Sequence, residues 1–81
     1  MEKEQIEAKV KEIIAEKADC ESSDVKEQTN VEELGLDSLD RVELVMEIEK
    51  EFNICVPDDE AENAVTTKDF VGLVEKHRSN R

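Results

Sequence analysis

Residues 38–52, "SLDRVELVMEIEKEF", constrain the chain more than any other stretch. At about 100° of rotation per residue, Leu44, Val45, Ile48 and Phe52 fall within about 100° of one another, the width of one core-facing stripe. Leu39, Val42 and Met46 also recur at helical spacing, but they centre roughly 140° away. The stretch therefore reads as a helix with two apolar strips. The first is a core face. The second is either a contact with another helix of a bundle or a docking surface. Charge favours docking: Asp37, Asp40, Glu43, Glu47, Glu49 and Glu51 stand against Arg41 and Lys50, a local net charge of −4. Carboxylates around an apolar strip orient basic partners, and Met46 adapts to more than one of them.

Around this helix the chain is short of strand signals. Ile6, Val10, Ile13 and Ile14 mark an amphipathic helix over residues 3–17. "ADCESSDVKEQTNVEELG" follows without sustained periodicity and reads as a long loop that Val25, Val31 and Leu34 pin to the core; a loop of this length is often functional. Pro57 breaks the central helix, and "PDDEAEN" suits one short helical turn with acids at its start. Thr66 and Asp69 have the spacing of a capping box and begin a last helix through about His77, with Phe70, Leu73 and Val74 inward. Gly72 weakens that helix slightly. The expected fold is all-α: a small bundle of three main helices plus one short helix, with a long first loop. The 81 residues suit a single domain, 1–81, with a flexible tail from about residue 78.

Composition narrows the function. With 23 acidic against 11 basic residues the net charge is −12, which repels nucleic acid and attracts basic surfaces. Two Phe and no Tyr or Trp leave the core to aliphatic side chains, which lock packing less firmly than rings do. Cys20 and Cys55 form no CxxC or Cys/His spacing and read as free thiols; the lone His77 reads as a polar residue near a helix end. "DDEAE" lacks the spacing and the glycine of a calcium loop, so no dedicated metal site is expected. No apolar run is long enough to span a membrane and no signal peptide is evident, so a cytoplasmic monomer is the expectation.

Ser38 lies at the entrance of the two-faced helix. Asp37 is the better N-cap, with Asp40 three residues on, so Ser38 becomes the first helical residue with its hydroxyl left for solvent. Gly35 permits a tight turn just before it. A phosphate ester at this position would sit at the positive end of the helix dipole. Serine hydrolysis does not fit, because no G-x-S-x-G elbow is present and one distant histidine makes no triad. Ser38 is thus a candidate attachment point, and the chain is not expected to be an enzyme.

The run "LGLDSLDRVELVMEIEKEFNICVPDDEAE" closely resembles the acyl carrier proteins of dissociated fatty-acid synthesis, most strongly from Leu34 to Glu62, with "DSLD" as the attachment motif. The resemblance implies a four-helix bundle with an acyl pocket between its helices. It implies that Ser38 receives a covalent 4'-phosphopantetheine arm from coenzyme A through a separate Mg²⁺-dependent phosphopantetheinyl transferase, and that acyl chains ride on the arm as thioesters. It implies that Asp37, Leu39, Asp40, Val42, Glu43, Met46 and Glu49, with Glu47 beside them, dock to basic patches on fatty-acid enzymes. An aliphatic core is then expected to part for a flexible chain. Some positions depart from the commonest pattern. Arg41 stands where a small or polar residue is more usual, and its guanidinium is expected to snorkel outward. Lys50 replaces a common acid, and Val31 a frequent aromatic. Two other readings stay open: a carrier of polyketide or aminoacyl cargo, and an acidic helical interaction module with no prosthetic group.

Overall fold

The structure is a computed structural model and describes residues 3–78. The expected tail therefore lies, beyond Arg78, outside the described residues. Helix α1 spans Lys3–Ala18, α2 Ser38–Phe52, α3 Asp58–Asn63 and α4 Thr67–Arg78. The described residues hold no strand, only an isolated bridge between Asn30 and Thr66. The all-α bundle of three main helices and one short one is as expected.

Helix ends are set by local chemistry. After α1, Asp19 takes a left-handed conformation (φ +59°); the Asp19 N–H bonds the Glu16 carbonyl at 3.3 Å and the Cys20 N–H the Ala15 carbonyl at 2.9 Å. This is the Schellman arrangement, which satisfies carbonyls a helix end leaves orphaned. After α2, Asn53 is again left-handed (φ +55°), and both its own N–H and the Ile54 N–H, the latter at 3.1 Å, reach the Glu49 carbonyl. Helix α2 thus stops at Asn53, ahead of Pro57, because Asn tolerates the left-handed region. Pro57 instead becomes the N-cap of α3.

The core is aliphatic with two rings. Ile6, Val10, Ile13 and Ile14 of α1 meet Leu44, Val45, Ile48 and Phe52 of α2 and Phe70, Val71 and Val74 of α4, all buried. Leu73 is only half-buried, because Val71 takes the inward position.

The segment read as an irregular loop is more ordered than its sequence suggests. It contains two 3₁₀ turns, Ser22–Asp24 and Val31–Leu34. Val25 and Val31 are buried as expected, whereas Leu34 is half-buried and Leu36 takes the deeper place. Its backbone is tied to the entrance of α4. The Val31 N–H donates to the Val65 carbonyl at 2.8 Å, the Thr67 N–H to Thr29 at 3.1 Å and the Lys68 N–H to Glu27 at 3.0 Å. The last two are first-turn N–H groups with no partner inside their own helix.

Helix α4 also carries the expected capping box. The Asp69 N–H donates to Thr66 Oγ1 at 3.2 Å, and Asp69 Oδ2 accepts from the Val65 and Thr66 N–H groups at 3.1 and 3.2 Å. Burial pushes the Asp69 carboxyl up, but these bonds outweigh it and hold it below its ordinary value. At its far end α4 is pinned to α3. His77 Nε2 lies 3.1 Å and Lys76 Nζ 3.0 Å from Glu60 Oε1, so His77 is not the isolated polar residue expected. The Lys76 bond first and the His77 bond second lower the Glu60 carboxyl.

A depressed folded-state value means that Asp69 stabilises the fold above its unfolded pKa, about 3.9, and loses that contribution as pH falls through the folded value. Asp69→Ala should cost about 1–2 kcal/mol at pH 7 in urea unfolding. The gap from the parent protein should close on acidification as the parent's carboxylate protonates. A gap that stays constant into acid would contradict the capping role.

Candidate functional site

The site is built at the junction between the second 3₁₀ turn and α2. Asn30 caps that turn, its Oδ1 accepting the Glu32 N–H at 2.8 Å. Gly35 closes it in the left-handed region (φ +89°), where a residue with a Cβ would be strained. Buried Leu36 then anchors the chain, and α2 begins two residues later.

Asp37 and Asp40 cap that beginning reciprocally. Asp37 Oδ1 accepts the Asp40 N–H at 3.0 Å, and Asp40 Oδ2 accepts the Asp37 N–H at 3.3 Å. Both carboxylates therefore work within the chain, and Asp40 is only half-exposed. Ser38 is the first residue of the helix, is exposed, and is not needed for the cap. A helix start with unpaired N–H groups favours a negative group on that hydroxyl.

The second apolar strip of α2 stays uncovered. Leu39, Val42 and Met46 are 65%, 52% and 56% exposed, while the core stripe of the same helix is buried. Helix α3 borders only its Val42 and Met46 edge, across an open cleft, so contact with a neighbour in the bundle leaves more than half of each side chain uncovered. Glu47 is exposed beside it. Glu43 is exposed too, but its carboxylate is paired with Lys17 at the end of α1, and that bond raises the Lys17 pKa.

Glu49 differs from the expected outward-facing acid. Its Oε2 accepts the Val56 N–H at 2.7 Å and so holds the connection from α2 to α3. No spacing rule announces this bond across the turn. Arg41 differs as well. Its side chain is only 18% exposed; Nη1 lies 3.8 Å from Glu32 Oε2, and Nε is buried without a hydrogen-bond partner. Instead of snorkelling, the guanidinium is folded into the wall of the site.

That wall belongs to a cleft of about 340 Å³ between α2 and α3, opening beside Ser38. Val42, Val45 and Met46 line one side, Val56 and Ala61 the other. A cleft of this size suits a small apolar group. The acids Glu49, Asp58 and Glu62 also line it. Elsewhere, Cys20 is half-buried and Cys55 exposed, both as free thiols. Among the described residues no three His, Cys, Asp or Glu side chains gather to hold a metal, and no helix is long and apolar enough to cross a membrane.

Comparison with known proteins bears on the family and the fold. Residues 8–74 match the family described as "Phosphopantetheine attachment site". The chain is 46% identical over 70 residues to the acyl carrier protein of Wolinella succinogenes, covering 85% of this chain and 92% of that protein. Its fold is similar to the mupirocin didomain ACP, with a TM-score of 0.78 at 22% identity. The similarity covers 95% of this chain and 42% of that one, so the chain spans less than half of that structure.

Glu49→Ala removes the acceptor that holds Val56. The Val56 amide should exchange about tenfold faster or more, and stability should fall by about 1–3 kcal/mol, as for other bonds to a charged group. An unchanged Val56 amide would show that the bond does not hold the turn.

Proposed function

This chain belongs to the acyl carrier proteins built on a phosphopantetheine attachment site, and on that premise we propose that it carries growing acyl chains through fatty-acid biosynthesis from an arm on Ser38. A member of this family is a carrier rather than a catalyst. It bears a covalent 4'-phosphopantetheine, which a phosphopantetheinyl transferase installs. The arm, once attached, supplies a thiol that holds acyl groups as thioesters. The observation that carries the assignment to Ser38 is the division of labour at the start of α2: two aspartates make the cap, and the serine between them is exposed.

The residues present fit such a group. The Ser38 oxygen sits where the α2 dipole favours a phosphodiester charge. The cleft beside it offers apolar lining within reach of the same helix turn. Aspartates 37 and 40 hold the serine in place instead of activating it. Exposed Leu39, Val42 and Met46 provide the apolar centre of a docking face, and Asp37, Asp40, Glu43 and Glu47 its charge. Long-range attraction by these acids orients a basic partner, while apolar contact at the centre supplies affinity. Glu49 lies at the margin of this face and serves the fold first. The chain works as a monomer in the cytoplasm, meeting one enzyme at a time.

Incubation with coenzyme A, Mg²⁺ and a phosphopantetheinyl transferase should add the mass of one phosphopantetheinyl group, and Ser38→Ala should abolish the gain. No gain in the parent protein would leave the acidic interaction module as the better reading. Cargo is separable by loading the arm with malonyl or acyl groups and supplying fatty-acid elongation enzymes; refusal by all of them would favour a specialised pathway.

Docking predicts opposite effects for two sides of one ion pair. Glu43→Lys or Met46→Ala should weaken transferase binding by about tenfold with the helical signal unchanged, a loss of about 1.4 kcal/mol. Lys17→Gln, which releases Glu43 from its internal partner, should strengthen binding instead. Affinities that do not respond to any of the three would remove α2 as the docking face.

A further inference from the structure

Arg41 carries a donor that the fold leaves unused. Its Nε is enclosed and has no hydrogen-bond partner. A buried donor without an acceptor costs about 1–3 kcal/mol, so such atoms call for an explanation. Glu32 does not provide one: it faces a different nitrogen, Nη1, at 3.8 Å, too long for a hydrogen bond. Leaning the guanidinium outward would wet this nitrogen and remove the cost, yet the side chain lies against the cleft.

The position of this donor is informative. Arg41 follows Ser38 by three residues, so the two side chains neighbour each other on α2, and both line the same cleft. Apolar side chains from Val42, Val45, Met46, Val56 and Ala61 form part of the lining. The side chain that carries the unpaired N–H thus borders the apolar part of the lining, next to Ser38. Three carboxylates, Glu49, Asp58 and Glu62, line the cleft too and repel an anionic acceptor. An uncharged oxygen suits both the donor and these acids.

We propose that Arg41 is a ligand-reading residue: its Nε–H donates to an uncharged carbonyl oxygen, of the arm or of its acyl cargo, when a chain enters the cleft from Ser38. The inference rests on the carrier reading. Nε is shut off from solvent, so the oxygen reaches it only when the lining of the cleft shifts. Helix α3 suits such movement, since it has six residues and no side-chain cap bond at its start. A carbonyl that engages Nε removes the cost of the orphan donor, which makes entry of an oxygen-bearing chain more favourable than entry of a saturated one of equal length.

The test follows the Arg41 Nε–H signal by ¹H–¹⁵N NMR in the unmodified protein, the thiol form, and the butyryl- and 3-oxobutyryl-loaded forms, with loading verified by mass. At least one loaded form should shift this signal downfield and slow its exchange by about tenfold, as for one new hydrogen bond. A shift already present in the thiol form assigns the oxygen to the arm. A shift confined to the 3-oxobutyryl form assigns it to the cargo. Arg41→Lys, which keeps the charge but not this donor, should reduce the rise in melting temperature on loading. A fully loaded protein whose Nε–H is unmoved in all forms overturns the proposal. Failure to load at Ser38 at all overturns the carrier reading itself.

Discussion

The reciprocal bonds between Asp37 and Asp40 decide where α2 begins, and most of the functional surface follows from that starting point. A helix turns about 100° per residue, so the first residue fixes the azimuth of every later one. Starting at Ser38, the helix sends Leu44, Val45, Ile48 and Phe52 into the core and leaves Leu39, Val42 and Met46 outside. A start one residue later would leave the backbone N–H groups of the first turn without these acceptors. The cap also relieves Ser38 of any structural duty.

The rest of the fold supports that helix with modest means. The core is mainly Val, Ile and Leu, with Phe52 and Phe70 as its only rings. Aliphatic side chains repack at lower cost than fixed aromatic stacks, which suits a cleft that must admit chains. The long first loop gains order from backbone bonds to the entrance of α4 and not from its own periodicity. Lys17 with Glu43, and Lys76 with Glu60, relieve some repulsion in a chain of net charge −12. These lysine pairs are open to solvent on at least one side, so each adds little stability. The Lys17 pair matters more for what it does to a docking acid.

Local signals were legible in the sequence and tertiary ones were not. Both capping boxes could be read from spacing, because their partners lie three residues apart. The two strips of α2 could be read because helical rotation is fixed. Nothing local distinguishes Glu49 from Glu47, yet one caps the Val56 amide and the other faces solvent. Arg41 shows the same limit. Its place in the sequence suggested an outward guanidinium, and only the packed structure shows that its Nε is enclosed. The burial of Leu36 in preference to Leu34 likewise depends on how the Val31–Leu34 turn delivers the chain into α2.

The central claim is that one serine, freed by its neighbours' capping, is the attachment point. The chain has four serines, Ser22, Ser23, Ser38 and Ser79, so the claim is specific. Fragmentation mass spectrometry of the transferase-modified protein tests it most directly. The account predicts that every fragment containing Ser38 carries the phosphopantetheinyl mass and that no fragment lacking Ser38 does. The group on any other serine would contradict it.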